Sequence, residues 1–161
     1  MNDKVLWVTG ASSGIGAAVA NKFANKGWKV AVSARRVELL DELAKHENIF
    51  SYPLDVTNQD QIKDIFTKII KNFGSIDLCV FSSGTYDPKL EKEINIKQNK
   101  FVMETNFFGV LYCIETVEKY FKEKKDGHIS IVSSIAAYRG LPNSSGYGPS
   151  KAALTNLAES L

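Results

Sequence analysis

The chain has 161 residues, 44% of them hydrophobic and 24% charged, which is enough for one domain with a real core and excludes disordered and fibrous classes. A net charge of +2 gives no basic footprint for nucleic acid, since the lysines of 119–125 are interleaved with Glu123 and Asp126 and read as a solvated helix end. No apolar run reaches membrane-spanning length, and the first strand begins near Lys4 with no room for a charged leader, so the expected location is cytoplasmic.

Val5–Thr9 is a short apolar run ending in glycines, Ile15–Lys26 carries the small and apolar residues of a packed helix, and Lys29–Ser33 is a second strand. A helix over Val37–His46 and a strand over Ile49–Leu54 follow. Asn58 is placed to cap the next helix, in which Ile62, Ile65, Phe66, Ile69 and Ile70 recur at helical spacing until Gly74. Leu78–Ser82 is the fourth strand, and the polar, aperiodic 85–99 stretch reads as a surface loop. The next helix, about Lys100–Lys122, is apolar nearly all round at Phe107–Val117, which predicts cover from the sheet and from a second surface, either another helix of the chain or a partner subunit. Gly127–Val132 is the fifth strand, 133–145 a loop and Tyr147–Leu161 a final helix. Cys79 and Cys113 fall in apolar stretches without metal-ligand spacing, which predicts buried free thiols, a reducing compartment and no metal site. Strands alternating with helices predict an α/β fold: a doubly wound, Rossmann-like parallel sheet with helices on both faces, forming a single dinucleotide-binding domain over 1–161.

Thr9-Gly10-Ala11-Ser12-Ser13-Gly14-Ile15-Gly16 lies between the first strand and first helix, where backbone amides and a helix N-terminus can receive a pyrophosphate and glycines permit close approach. Near the end of the second strand, where a carboxylate would bind the ribose hydroxyls of NAD, stand Arg35 and Arg36. Two guanidiniums there favour NADP(H) over NAD(H) through charge-assisted contacts to the extra phosphate. Tyr147 and Lys151 are four residues apart, on one helix face, with Ser134 thirteen residues before the tyrosine. An ammonium beside a phenol favours the ionised oxygen, and hydride delivery to a carbonyl needs a proton donor and a hydrogen-bond donor close together.

With these motifs in register, the whole chain resembles the short-chain dehydrogenase/reductase family. The resemblance implies that Tyr147 is the general acid or base, that Lys151 binds the nicotinamide ribose and tunes the tyrosine, and that Ser134 hydrogen-bonds the substrate oxygen. The thirteen-residue offset selects Ser134 over Ser133. Asn106 matches the asparagine that holds a proton-relay water, and Asp55-Val56 the pair that contacts adenine. Where the family has Asn-Asn-Ala-Gly, this chain has Phe81-Ser82-Ser83-Gly84: Gly84 keeps the backbone freedom, whereas Ser82 lacks an amide's paired donor and acceptor.

The implied activity is NADP(H)-dependent interconversion of an alcohol and a ketone or aldehyde, with a small-molecule substrate and a homo-oligomeric complete protein. The family sheet calls for further strand–helix units after Leu161, so the chain is expected to be C-terminally incomplete and, alone, to bind cofactor weakly and turn over poorly. The alternative is a nucleotide-binding fragment or module without catalysis. Tyr138, Leu141 and Pro142, in the 136–145 loop, are candidates for a pocket wall or equally for packing against the protein.

Overall fold

A computed structural model describes residues 4–161 of the protein, leaving the first three outside it. The strands are β1 (Val5–Thr9), β2 (Lys29–Ser33), β3 (Ile49–Ser51), β4 (Leu78–Phe81) and β5 (His128–Ile131). The helices are α1 (Gly14–Ala24), α2 (Val37–Leu43), α3 (Gln59–Phe73), α4 (Ile96–Met103), α5 (Gly109–Lys124) and α6 (Tyr147–Ser160). All strand pairs are parallel, in the order β3-β2-β1-β4-β5. The chain steps outward from β1 to β3 and then crosses to β4 on the other side of β1. The loops leaving β1 and β4 therefore diverge, and a crevice opens above the carboxyl ends of these strands, the switch point where doubly wound sheets bind ligands.

Both faces of the sheet are covered, which is why β1 is buried along its whole length. Side chains alternate: Val5, Trp7, Cys79 and Phe81 point into a core completed by Ile62, Ile65 and Ile69 of α3, Val110, Cys113 and Val117 of α5, and Leu154 of α6. Leu6, Val8, Val30, Val32 and Val80 point the other way, onto Ala20 and Ala24 of α1 and Leu40 of α2. The helix that sequence periodicity marks most plainly, α3, has the predicted ends. Asn58 accepts a hydrogen bond from the Gln61 N–H at 3.1 Å, and Gly74 closes the helix at φ 79°.

Three boundaries differ from the sequence reading by three residues or more. Strand β3 stops at Ser51 because Pro53 has no N–H, although Tyr52 and Leu54 still donate to the carbonyls of Val32 and Ala34. Helix α2 stops at Leu43, where the chain tightens into turns with the Lys45 N–H donating to the Glu42 carbonyl and His46 to Leu43. The long helix begins at Ile96 rather than near Lys100, because Asn95 accepts from the Gln98 N–H and caps a turn that has no apolar period. A π turn, Glu104–Phe108, separates α4 from α5, and just after it Gly109 lies so close to Val56 that a Cβ would stand 2.6 Å from Cγ2. The inner side of α5 is covered by the chain's own core, while Phe101 and Phe108 remain exposed. Cys79 and Cys113 are buried and free, and burial pushes both thiols above the usual range. Among the described residues no helix is long and apolar enough to cross a membrane.

At the opposite end of the sheet from the crevice, Asp77 ties three elements together. It accepts from the Val5 N–H at 2.8 Å and from Lys124 Nζ at 2.7 Å, and the same ammonium donates to the Ile76 carbonyl at 2.9 Å. Partial burial would raise the Asp77 pKa, but the bonds from Lys124 and Val5 outweigh it and hold the carboxyl below its usual range. A depressed carboxylate stabilises the fold above its unfolded pKa, and that stability is lost as pH falls through the folded one. Asp77→Asn is expected to cost about 1 kcal/mol at neutral pH, and the gap to the unsubstituted chain should close as pH falls below ~4 in urea unfolding.

Candidate active site

The crevice is a cleft of about 410 Å³. One wall is the turn after β1. Gly10 has φ +69°, and a Cβ on it would stand 2.7 Å from the backbone of Ser82; a Cβ on Gly16 would stand 2.6 Å from the Gly10 carbonyl. The loop thus folds tightly against the end of β4, a position no side chain could share. Ser82 secures the contact by donating from Oγ to the Thr9 carbonyl at 2.6 Å. The serine that replaces the family asparagine is thereby spent on the loop. No side chain caps the N-terminus of α1, so its first amides suit an anion.

Across this turn, Arg36 donates from Nε and Nη2 to Ser12 Oγ at 3.1 and 2.8 Å, and from Nη2 to Ser13 Oγ at 2.7 Å. Arg35 and Arg36 are exposed and both line the cleft. The Asp55 carboxylate is held by the Thr57 N–H and hydroxyl at 3.0 and 2.8 Å, while Val56 backs onto Gly109. Glycines that a Cβ would overfill and uncapped amides fit the pyrophosphate of a nicotinamide dinucleotide. Among the described residues no group of His, Cys, Asp or Glu side chains is arranged to hold a metal.

The other wall is the start of α6. Lys151 is 4% exposed, donates from Nζ to the Val132 carbonyl at 2.8 Å and lies 5.8 Å from the centre of the Tyr147 ring. Burial pushes its ammonium down to about 8. An ammonium has three donors, so two remain for a ligand in the cleft. Tyr147 also lines the cleft, with the Tyr86 ring 4.5 Å away.

The sequence-selected residues divide into two groups. Gly10, Ser12, Ser13, Ile15, Gly16, Arg35, Arg36, Asp55, Val56, Ser82, Gly84, Tyr147 and Lys151 line the cleft, whereas Gly14, Asn106 and Ser134 do not. Asn106 is fully buried in the π turn. It accepts from the Thr85 N–H at 2.7 Å and donates to the Thr85 carbonyl at 3.0 Å and to Ser150 Oγ at 3.1 Å, while Ser150 donates to the Tyr147 carbonyl at 2.7 Å. Its side chain thus clamps the loop after β4 to α6. Ser133, the rejected competitor, lines the cleft, yet its hydroxyl bonds the Lys151 carbonyl at 3.0 Å and Thr155 Oγ1 at 2.7 Å. Ser134 Oγ accepts from the Ala136 N–H at 3.2 Å, which leaves its own proton free to donate. Two further residues escaped the sequence reading: Tyr86, and Glu91, a buried carboxylate in the stretch read as a polar surface loop. A glutamate in Lys89-Leu90-Glu91-Lys92-Glu93 carries no signal of burial.

The family model for the short chain dehydrogenases matches residues 4–161. The chain belongs to the short-chain dehydrogenase/reductase family. It is 34% identical, over 99% of its length, to a dehydrogenase/reductase SDR family protein 7-like of Dictyostelium discoideum, and 32% identical, over all of its length, to an uncharacterized oxidoreductase of Staphylococcus saprophyticus. It spans 54% and 67% of those two proteins. Among solved structures, ElxO with NADP bound superposes with a TM-score of 0.87 at 30% identity, covering 96% of this chain and 65% of that one. An actinorhodin polyketide ketoreductase variant with NADPH superposes with a TM-score of 0.91 at 26% identity, covering 98% and 63%. The fold and oxidoreductase family membership rest on these matches together with the parallel sheet.

Because burial lowers the pKa of Lys151, its ammonium costs stability wherever it stays charged in the fold, and that cost disappears as pH rises from about 8 to the ordinary lysine range. Relative to Lys151→Met, the unsubstituted chain is expected to gain on the order of 3 kcal/mol across that alkaline window in chemical unfolding, with a flat difference below it.

Proposed function

We propose that this chain carries the cofactor site and acid–base centre of an NADP(H)-dependent oxidoreductase that interconverts an alcohol and a ketone or aldehyde. The observation that carries the reading is one cleft joining the uncapped glycine turn, the Arg35–Arg36 pair and the Tyr147–Lys151 pair. The dinucleotide, when bound, supplies or accepts the hydride. The turn and the first amides of α1 hold the pyrophosphate, and Arg36, already braced by Ser12 and Ser13, faces the extra phosphate with Arg35. Lys151 directs its remaining donors to the ribose. Tyr147 gives its phenolic proton to the carbonyl oxygen in reduction and takes it back in oxidation, while Ser134 donates to the same oxygen. The binding of NADP and NADPH by the two solved relatives supports this cofactor choice, and the exposed Phe101 and Phe108 suit a contact between copies of the complete protein.

NADPH consumption over a panel of ketones and aldehydes tests the chemistry: Tyr147→Phe should lower kcat by about a hundredfold or more with NADPH affinity retained. Equal rates in the two proteins would leave a nucleotide-binding module without this mechanism. For cofactor choice, Arg35→Asp and Arg36→Asp should each weaken NADPH by about tenfold or more while NADH changes far less, as measured by fluorescence titration. Equal weakening of both cofactors would reject the arginine assignment.

A further inference from the structure

The first turn of α6 must dispose of its unpaired N–H groups, and here each is traceable. Pro149 has none, and Ser150 donates to the Gly146 carbonyl, the first rung of the helix. Gly148 donates to Ser144 Oγ at 3.0 Å and to the Ser144 carbonyl at 3.1 Å. The two that remain, Gly146 and Tyr147, both donate to a single atom: Oε2 of Glu91, at 2.8 and 3.0 Å, from a residue 55 and 56 positions away in sequence. Gly146, at the N-cap position, has no side chain to offer, and Ser144 serves Gly148 alone.

Glu91 is 2% exposed, and its second oxygen, Oε1, is buried with no hydrogen-bond partner. Leaving a carboxylate oxygen unpaired in the interior is costly. A residue chosen only to stabilise this loop would not need the carboxylate. What the carboxylate does supply is a negative charge against a helix N-terminus, joined by charge-assisted bonds to the backbone of Tyr147 itself. The same segment contributes Tyr86, whose ring lies against the Tyr147 ring and whose hydroxyl donates to the Asn143 carbonyl at 3.1 Å. An Asp87 turn, in which the carboxylate accepts from the Lys89 N–H at 2.9 Å and the carbonyl from Leu90 at 3.0 Å, joins the two contacts.

Building on the reductase reading, we propose that Glu91 is a positioning residue: it fixes the height and direction of α6 so that the Tyr147 phenol meets the reacting oxygen. A small displacement of a reacting group costs far more in turnover than in cofactor affinity. The test compares the full chain with Glu91→Ala and Glu91→Gln, using NADPH with 4-nitrobenzaldehyde as the carbonyl probe and site-resolved amide hydrogen exchange. In Glu91→Ala, kcat should fall by about tenfold to a hundredfold. The KM for NADPH should stay within about twofold. Glu91→Gln, which keeps an acceptor oxygen but loses the negative charge, should recover only part of the loss. The Gly146 and Tyr147 amides should exchange at least about tenfold faster in Glu91→Ala, with Val8 and Val32 in the sheet unchanged. Unaltered kcat in Glu91→Ala, or faster exchange spread evenly through the sheet, overturns the proposal. Should Glu91→Ala not fold, Glu91→Gln decides: a kcat loss with faster exchange confined to Gly146 and Tyr147 supports the proposal, and unaltered kcat with unaltered exchange overturns it. Where the unsubstituted chain turns over too slowly for kcat to be read, the exchange pattern alone decides whether Glu91 fixes Tyr147, and the reductase reading fails if the chain also binds no NADPH in fluorescence titration.

Discussion

A buried ammonium governs the geometry of the cleft. Lys151 is taken almost wholly out of water, which is tolerable only with a strong acceptor, and the acceptor it finds is the carbonyl of Val132, the residue that continues β5. That bond docks α6 onto the end of the sheet, and Ser133 adds a second tie to the Lys151 carbonyl and Thr155. Tyr147, one turn earlier on the helix, is carried to the cleft by the same docking. From the other side, Asn106 and Glu91 hold the helix backbone near the tyrosine. The phenol is therefore placed by contacts to its helix and by the Tyr86 ring beside it.

The cofactor wall follows a different logic. Its precision comes from the removal of atoms: Gly10 and Gly16 have neighbours where a Cβ would be, and the turn can lie against Ser82 only because both are glycine. Arg36 then spans the gap to Ser12 and Ser13, so a flexible cation is already oriented. For an anion bound there, much of the ordering cost would already be met within the fold.

The strands, the sheet class and helix α3 were legible in the sequence because each is written in local terms: apolar runs bounded by glycine, a helical period, an asparagine before and a glycine after. The glycine turn, the arginine pair and Tyr147–Lys151 were legible for a related reason, since each is a short motif whose chemistry depends on spacing. The rest depends on distant partners. Glu91 sits among lysines in a polar stretch, and only the fold brings it under the first turn of α6. The start of α4 was missed because it rests on the Asn95 cap, without an apolar stripe. Asn106 was selected by resemblance, but its role as a clamp between Thr85 and Ser150 is set by the π turn, which a regular apolar period across Val102, Val110 and Cys113 conceals.

The sheet's two borders are unlike. Beside β3, Pro53 withholds a donor just where the strand would lengthen, an edge that discourages further pairing. Strand β5 is bonded to β4 on one side and, among the described residues, to no strand on the other, with Ile129 and Ile131 only half covered. A backbone laid along that border would join the sheet in register, extending it by a strand. The border also leads directly into Val132, whose carbonyl anchors Lys151. The open edge of the sheet and the anchor of Lys151 are consecutive stretches of backbone, so the state of one is mechanically continuous with the other.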